Sequence, residues 1–167
     1  MNTITSAAVL LLVCCVGYGY ADRALMPPCC RNLIGDVACA RLKADSATAF
    51  MNRCNTEADF RIIQCCTLCE NSSPTSSYET AAPALANAEC FDRMSTAYCK
   101  KYVDGTDVWS SGTWTCEGLH AAVAFRICRL SCGYCTVTGS TTVASVVATA
   151  WTLTNAQDTA QCSGLGK

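Results

Sequence analysis

The first strong pattern along the chain is an uninterrupted apolar run, Ala7 to Val16, between a short polar start and Gly17-Tyr18-Gly19-Tyr20-Ala21. Small residues at Gly19 and Ala21 suit the −3 and −1 positions of signal peptidase. Residues 1–21 therefore read as a secretory leader cut after Ala21. A spanning helix needs about 20 apolar residues, so the run is too short for an anchor. Further on, EADFRIIQC and EGLHAAVAFRIC lack proline and carry apolar residues at helix-compatible spacing. Each predicts a short helix ending at a cysteine cluster. Between them, residues 70–89 (ENSSPTSSYETAAPALANAE) are polar and proline-punctuated, which predicts a linker. The tail, 136–167, is rich in Thr, Val and Ala. Its VASVVATAW run is too short to span a bilayer.

Composition sharpens this outline. Sixteen of 167 residues are cysteine, and only Cys14 and Cys15 leave with the leader. The others fall mainly into two crowded clusters, 29–69 and 90–135, with Cys162 alone in the tail. Such density behind a leader implies an oxidising, extracellular compartment and stability drawn from disulfides. The fold class expected is small and disulfide-rich: two tandem modules of short helices and loops, with few or no strands. Each cluster is too small to bury a sufficient core without covalent staples. The clusters also look like copies. Cys30 to Cys39 and Cys90 to Cys99 each enclose eight residues, both contain Phe-Arg-Ile, and both close on Cys-x-x-Cys.

Charge is balanced, with 12 Lys and Arg against 13 Asp and Glu. No basic stripe for nucleic acid or anionic lipid is present. Two Cys-x-x-Cys pairs are formally zinc-like, but behind a leader they read as disulfide cysteines. The single histidine, His120, has no companion ligands in sequence and reads as a packing residue. The chain has no H-E-x-x-H, G-x-S-x-G or P-loop. No enzyme, metal or cofactor is expected. The partner expected is an extracellular protein, with no nucleic acid and no membrane span. Trp109 and Trp114, in the long Cys99–Cys116 loop, are candidate contact residues or covers for the module's own disulfides. Asn71-Ser72-Ser73 is a glycosylation sequon.

Cluster two resembles the ShK toxin-like six-cysteine module. It carries Asp92 two residues after Cys90 and closes as C128-R-L-S-C132-G-Y-C135. Cluster one resembles it more loosely, with adjacent Cys65-Cys66, an extra Cys29 and no Asp after Cys30. The resemblance implies bridges first–sixth, second–fourth and third–fifth. These are Cys90–Cys135, Cys99–Cys128 and Cys116–Cys132, then Cys30–Cys69, Cys39–Cys65 and Cys54–Cys66, the roles of Cys65 and Cys66 being exchangeable. Three bridges per module leave Cys29 and Cys162, which are expected to form a Cys29–Cys162 bridge within the chain, the alternative being a disulfide dimer. Residues 90–135, with six cysteines, are expected to fold alone.

Channel-blocking members of that family present a Lys-Tyr pair from the helix between the third and fourth cysteines. The matching positions here are Ala122-Val123 and Asp59-Phe60, while Lys101-Tyr102 follows Cys99 and reads as a solvated loop start. The leading expectation is therefore a secreted module for extracellular protein interaction or a matrix-type structural role. The alternative is a toxin-like or immunomodulatory effector acting on ion channels.

Overall fold

The computed structural model describes residues 26–105, 114–136 and 151–163, the side chain of residue 161 excepted. The expected leader with Cys14 and Cys15, Trp109 and residues 137–150 lie outside the described residues. The described chain is built from short helices. They are α1 (Asp36–Asp45), α2 (Ala47–Thr56), a π-helical turn (Phe60–Gln64), α3 (Cys66–Glu70), α4 (Tyr78–Ala88) and α5 (Thr96–Asp104). A 3-10 turn (Gly118–His120), α6 (Ala121–Ile127), α7 (Leu153–Ala156) and α8 (Thr159–Cys162) follow. Among the described residues the only β pairing is an isolated antiparallel bridge between Asp92 and Cys128. The molecule is a small, helix-rich, disulfide-rich fold.

Local chemistry sets the helix ends. Ser46 is extended, and its Oγ accepts from Ala49 N at 3.2 Å, capping α2. Ser95 does the same for α5 through Tyr98 N, and Gly105 ends that helix at φ 69°, a conformation that suits glycine. Helix α1 lacks an apolar stripe. Cys39 is its only buried residue, so a covalent tie holds it where hydrophobic burial does not.

Seven disulfides close the fold: Cys29–Cys162, Cys30–Cys66, Cys39–Cys65, Cys54–Cys69, Cys90–Cys135, Cys99–Cys128 and Cys116–Cys132. Every cysteine from Cys29 onwards is in one of them. Two differ from the sequence expectation: Cys30 pairs with Cys66, not Cys69, and Cys54 with Cys69, not Cys66. Helical rotation explains the exchange. Cys65 and Cys69 are four residues apart and share a face, whereas Cys66 points about 100° away. Cys65 and Cys69 sit in a small cluster with Cys39, Phe50, Cys54 and Phe60. Cys66 instead sits with Cys30 in the larger core.

This pairing reveals the register of the repeat. Cys65-x-x-x-Cys69 is the counterpart of Cys128-x-x-x-Cys132. In both, the second cysteine N–H bonds the first carbonyl at 2.9 Å. Cys65 (φ −132°, ψ 37°) and Cys128 (φ −133°, ψ 38°) adopt one conformation. The two Phe-Arg-Ile stretches are then two positions out of step. Ile62, not Phe60, matches Phe125, and both are fully buried in the larger core, while Phe60 packs on Phe50 at 5.3 Å. Cys66 occupies the place of Arg129.

The expected linker is also part of the fold. Residues 78–88 form α4, whose Tyr78, Ala81, Ala82 and Ala86 are buried. With half-buried Leu85 they repeat at i, i+3, i+4, i+7 and i+8, the spacing of one helix face. Pro83 inside α4 has no N–H for the Glu79 carbonyl, yet the apolar face outweighs that loss. The larger core joins Ile62 of the first cluster, Tyr78 and Ala82 of α4, Phe125 and Tyr134 of the second, and Trp151 of the tail. The two cysteine clusters therefore share one core, to which residues of 90–135 contribute alongside Ile62, α4 and Trp151.

Candidate contact surfaces

Two buried arginines organise the interior. Arg61 is fully buried and pairs with Glu70 at 2.7 Å. It also donates to the carbonyls of Cys54 at 3.3 Å and Ser76 at 3.0 Å, which ties the 70–77 segment down before α4 begins. Desolvation raises the Glu70 carboxyl above its ordinary value, and the Arg61 charge opposes that rise. Burial likewise raises the Tyr78 hydroxyl.

Arg129 is 2% exposed and spans the modules. It meets Asp59 Oδ1 at 2.6 Å and Glu89 Oε2 at 3.3 Å, and lies over the Phe125 ring at 4.2 Å. Burial lowers the Arg129 guanidinium, while Asp59 and Glu89 favour its charge. Asp59 also receives Arg93 at 2.6 Å and Arg126 at 3.7 Å. Asp59 and Phe60, the positions where the family resemblance puts a channel-binding pair, are thus committed to an ion cluster and to the small core.

Asp92 accepts from Ser131 N at 2.9 Å and from the Ser131 hydroxyl. In the first module Asn32 takes this place, with its Oδ1 accepting from Leu68 N at 3.1 Å. The missing Asp of cluster one is an Asn doing the same work two residues after Cys30. That offset was the sequence signal for it.

The tail is clasped to this frame. Trp151 is fully buried, stacked on Tyr78 at 6.4 Å and tilted against Phe125 at 6.1 Å. Leu153 N donates to Glu79 Oε1 at 3.1 Å, and Cys30 N to the Ala156 carbonyl at 2.7 Å. The Cys29–Cys162 disulfide completes the tie within one chain.

Large apolar side chains are exposed at equivalent turns of the two modules. Leu33, Ile34 and Val37 flank the start of α1, and Phe91 and Met94 precede α5; Val37 is 67% and Phe91 51% exposed. Sequence reasoning did not single these out, because isolated apolar residues beside cysteines carry no periodic signal. The turns match in backbone terms: Leu33 N and Ile34 N bond the carbonyls of Ile63 and Gln64, while Arg93 N and Met94 N bond that of Ile127.

Of the other sequence candidates, Trp114 is half-buried and packs on Tyr102 at 5.3 Å and His120 at 5.4 Å, so it covers the module more than it projects from it. Lys101 is not at a loop start; it lies in α5, half-buried among aromatic rings. Asn71 is exposed at the end of α3, and Ser73 of its sequon has φ 59°. An open cleft of about 690 Å³ lies between Met26, the 3-10 turn and α8, lined by Glu117, His120 and Asp158 among others. No group of three or more His, Cys, Asp or Glu among the described residues could hold a metal ion. No helix among them is long and apolar enough to cross a membrane.

Fold and surfaces together define a disulfide-stabilised helical protein of the kind matured in an oxidising compartment. No family model, no curated protein and no solved structure matches the chain.

Proposed function

We propose that the chain is a secreted, non-catalytic scaffold for extracellular protein interaction or a matrix-type structural role, built as a diverged tandem of ShK toxin-like modules. The observation that carries this reading is the placement of exposed apolar residues on two equivalent turns of one covalently locked body: Ile34 and Val37 on one, Phe91 and Met94 on the other. Disulfides fix these turns before any partner arrives, which reduces the ordering cost of binding. All cysteines after the leader are bridged, so no thiol remains for nucleophilic work. Asn71, exposed beside the first module, is the glycan acceptor in this reading.

The test is capture from extracellular extract with the oxidised chain, beginning near Asp22, as bait. Specific partners are expected with the oxidised bait and not with the reduced, alkylated one. Ile34→Asp/Val37→Asp or Phe91→Asp/Met94→Asp should lose them. Capture that is equal with reduced bait, or unaffected by both double variants, refutes the reading.

A further inference from the structure

The outward side of α6 carries an apolar row. The helix buries Ala121, Ala124 and Phe125, which turns Val123 and Arg126 away from the core. Leu119, in the 3-10 turn that runs into α6, precedes Val123 by four residues, and half-buried Ile127 follows it by four. Leu119 is 56% and Val123 50% exposed. The turn with Phe91 and Met94 lies at the end of this row, because Arg93 N and Met94 N both donate to the Ile127 carbonyl. One charge stands beside the row, the exposed side chain of Arg126. It reaches Asp59 at 3.7 Å, whereas Arg93 and Arg129 hold the same carboxylate at 2.6 Å each. Glu89 faces Arg93 and Arg129, and Asp92 is bonded to Ser131. Of the three arginines around Asp59, Arg126 is the least compensated.

We propose that this row docks an amphipathic helix of a partner protein, whose apolar face carries a carboxylate opposite Arg126. The inference rests on the extracellular-interaction reading above and names the partner chemistry for the turn with Phe91 and Met94. Residues four apart form a ridge along a helix, and such a ridge packs into the groove of a second helix. Leu119, Val123 and Ile127 have that spacing, and Phe91 and Met94 add apolar surface where α6 ends. A purely apolar partner would cover Arg126 while its carboxylate is shared with two nearer cations, and a covered charge without its own partner is costly. A carboxylate on the incoming helix removes that cost through a charge-assisted pair with the planar guanidinium. The apolar row supplies buried area, and Arg126 selects the partner. A bilayer fits less well, because Asp59 and Glu89 cancel most of the basic charge of this region, whereas one carboxylate on a helix needs Arg126 alone.

The test uses the oxidised chain, beginning near Asp22, and two fluorescent synthetic helices of about four turns, each closed by an internal lactam. Both have a leucine face; one carries glutamate at its centre and the other lysine. Fluorescence anisotropy should show the glutamate helix binding about tenfold more tightly than the lysine helix. Arg126→Ala should abolish that preference, and Arg126→Glu should reverse it. Val123→Asp should weaken both helices, and Phe91→Asp/Met94→Asp serves if Val123→Asp folds poorly. No binding of either helix, no preference in the wild type, or a preference that survives Arg126→Ala overturns the proposal. Co-sedimentation with phosphatidylcholine–phosphatidylserine vesicles that is lost in Val123→Asp, without a glutamate preference, makes the row a membrane contact and overturns it as well. Capture of extracellular partners through the apolar turns, with no glutamate preference, sinks this inference and leaves the broader reading standing.

Discussion

Asp59 Oδ1 accepts a hydrogen bond from Arg129 Nη2 at 2.6 Å across 70 residues of sequence. It joins the residue before the π-helical turn to the closing turn of the second module. Asp59→Ala leaves Arg129 buried with Glu89 alone, and removing one partner of a buried pair costs about 3–5 kcal/mol. Arg126→Ala, on an exposed side chain of the same cluster, should change stability by about 0.5 kcal/mol or less. Denaturant unfolding with disulfides intact measures both. A similar loss in the two variants would remove Asp59–Arg129 from its place at the module junction.

Asn32 and Asp92 hold matching closing turns. Asp92→Ala leaves the Ser131 N–H and hydroxyl without their acceptor, at a cost of about 1–3 kcal/mol, and Asn32→Ala should cost about 1 kcal/mol. Asn32→Asp is expected to destabilise as well, although it copies Asp92. Asn32 Nδ2 donates to Asp36 Oδ1 at 2.8 Å, and a second carboxylate there repels the first. The same unfolding measurement separates the three variants.

Among the described residues of the tail, Trp151 is the largest side chain in the core. Trp151→Ala should cost about 3–5 kcal/mol, as for other large aromatic truncations. Cys29–Cys162 would still tether the tail, so the loss should appear as exposed apolar surface, read by dye binding, rather than as a changed disulfide map. A variant with wild-type stability would show that Trp151 does not fill the core.

Disulfide mapping gives a direct check on the register of the repeat. Partial reduction with sequential alkylation should yield Cys30–Cys66 and Cys54–Cys69. Finding Cys30–Cys69 with Cys54–Cys66 instead would contradict the placement of Cys66 in the larger core. A covalent dimer through Cys29 or Cys162 would contradict the intrachain clasp.

Glu79 is pulled below its ordinary value chiefly by the Leu153 N–H. A carboxylate with a lowered folded value contributes in full above the unfolded value of 4.5, and that contribution is lost as pH falls through the lower folded one. Tail docking should therefore hold near neutrality and loosen below about 4.5. Hydrogen exchange at the Leu153 amide, corrected for the intrinsic rate, should show protection falling over that acid range in the wild type. Glu79→Ala should show low protection throughout.

Much of the architecture was legible in the chain. Cysteine density gave the fold class, and cysteine arithmetic pointed to the Cys29–Cys162 pair that the structure contains. The linker reading failed because Pro83 and a Ser/Thr-rich start drew attention from the 78, 81, 82, 85, 86 spacing, a helix face made mostly of alanine. Alanine is a weak hydrophobic signal by itself and becomes core only when a large partner such as Trp151 covers it.

The amino-acid sequence by itself determined that this chain is helical and disulfide-stabilised, because residue type and spacing decide local geometry and covalent capacity. The tertiary structure alone decided which of Cys66 and Cys69 faces which core, that the modules share one core, and that Lys101 lies among aromatic rings. Those outcomes depend on helix rotation and on contacts between residues tens of positions apart. A one-residue step around α3 turns a side chain by about 100°, and the strings of letters Cys65-Cys66 and Cys66-x-x-Cys69 do not encode which direction the core lies.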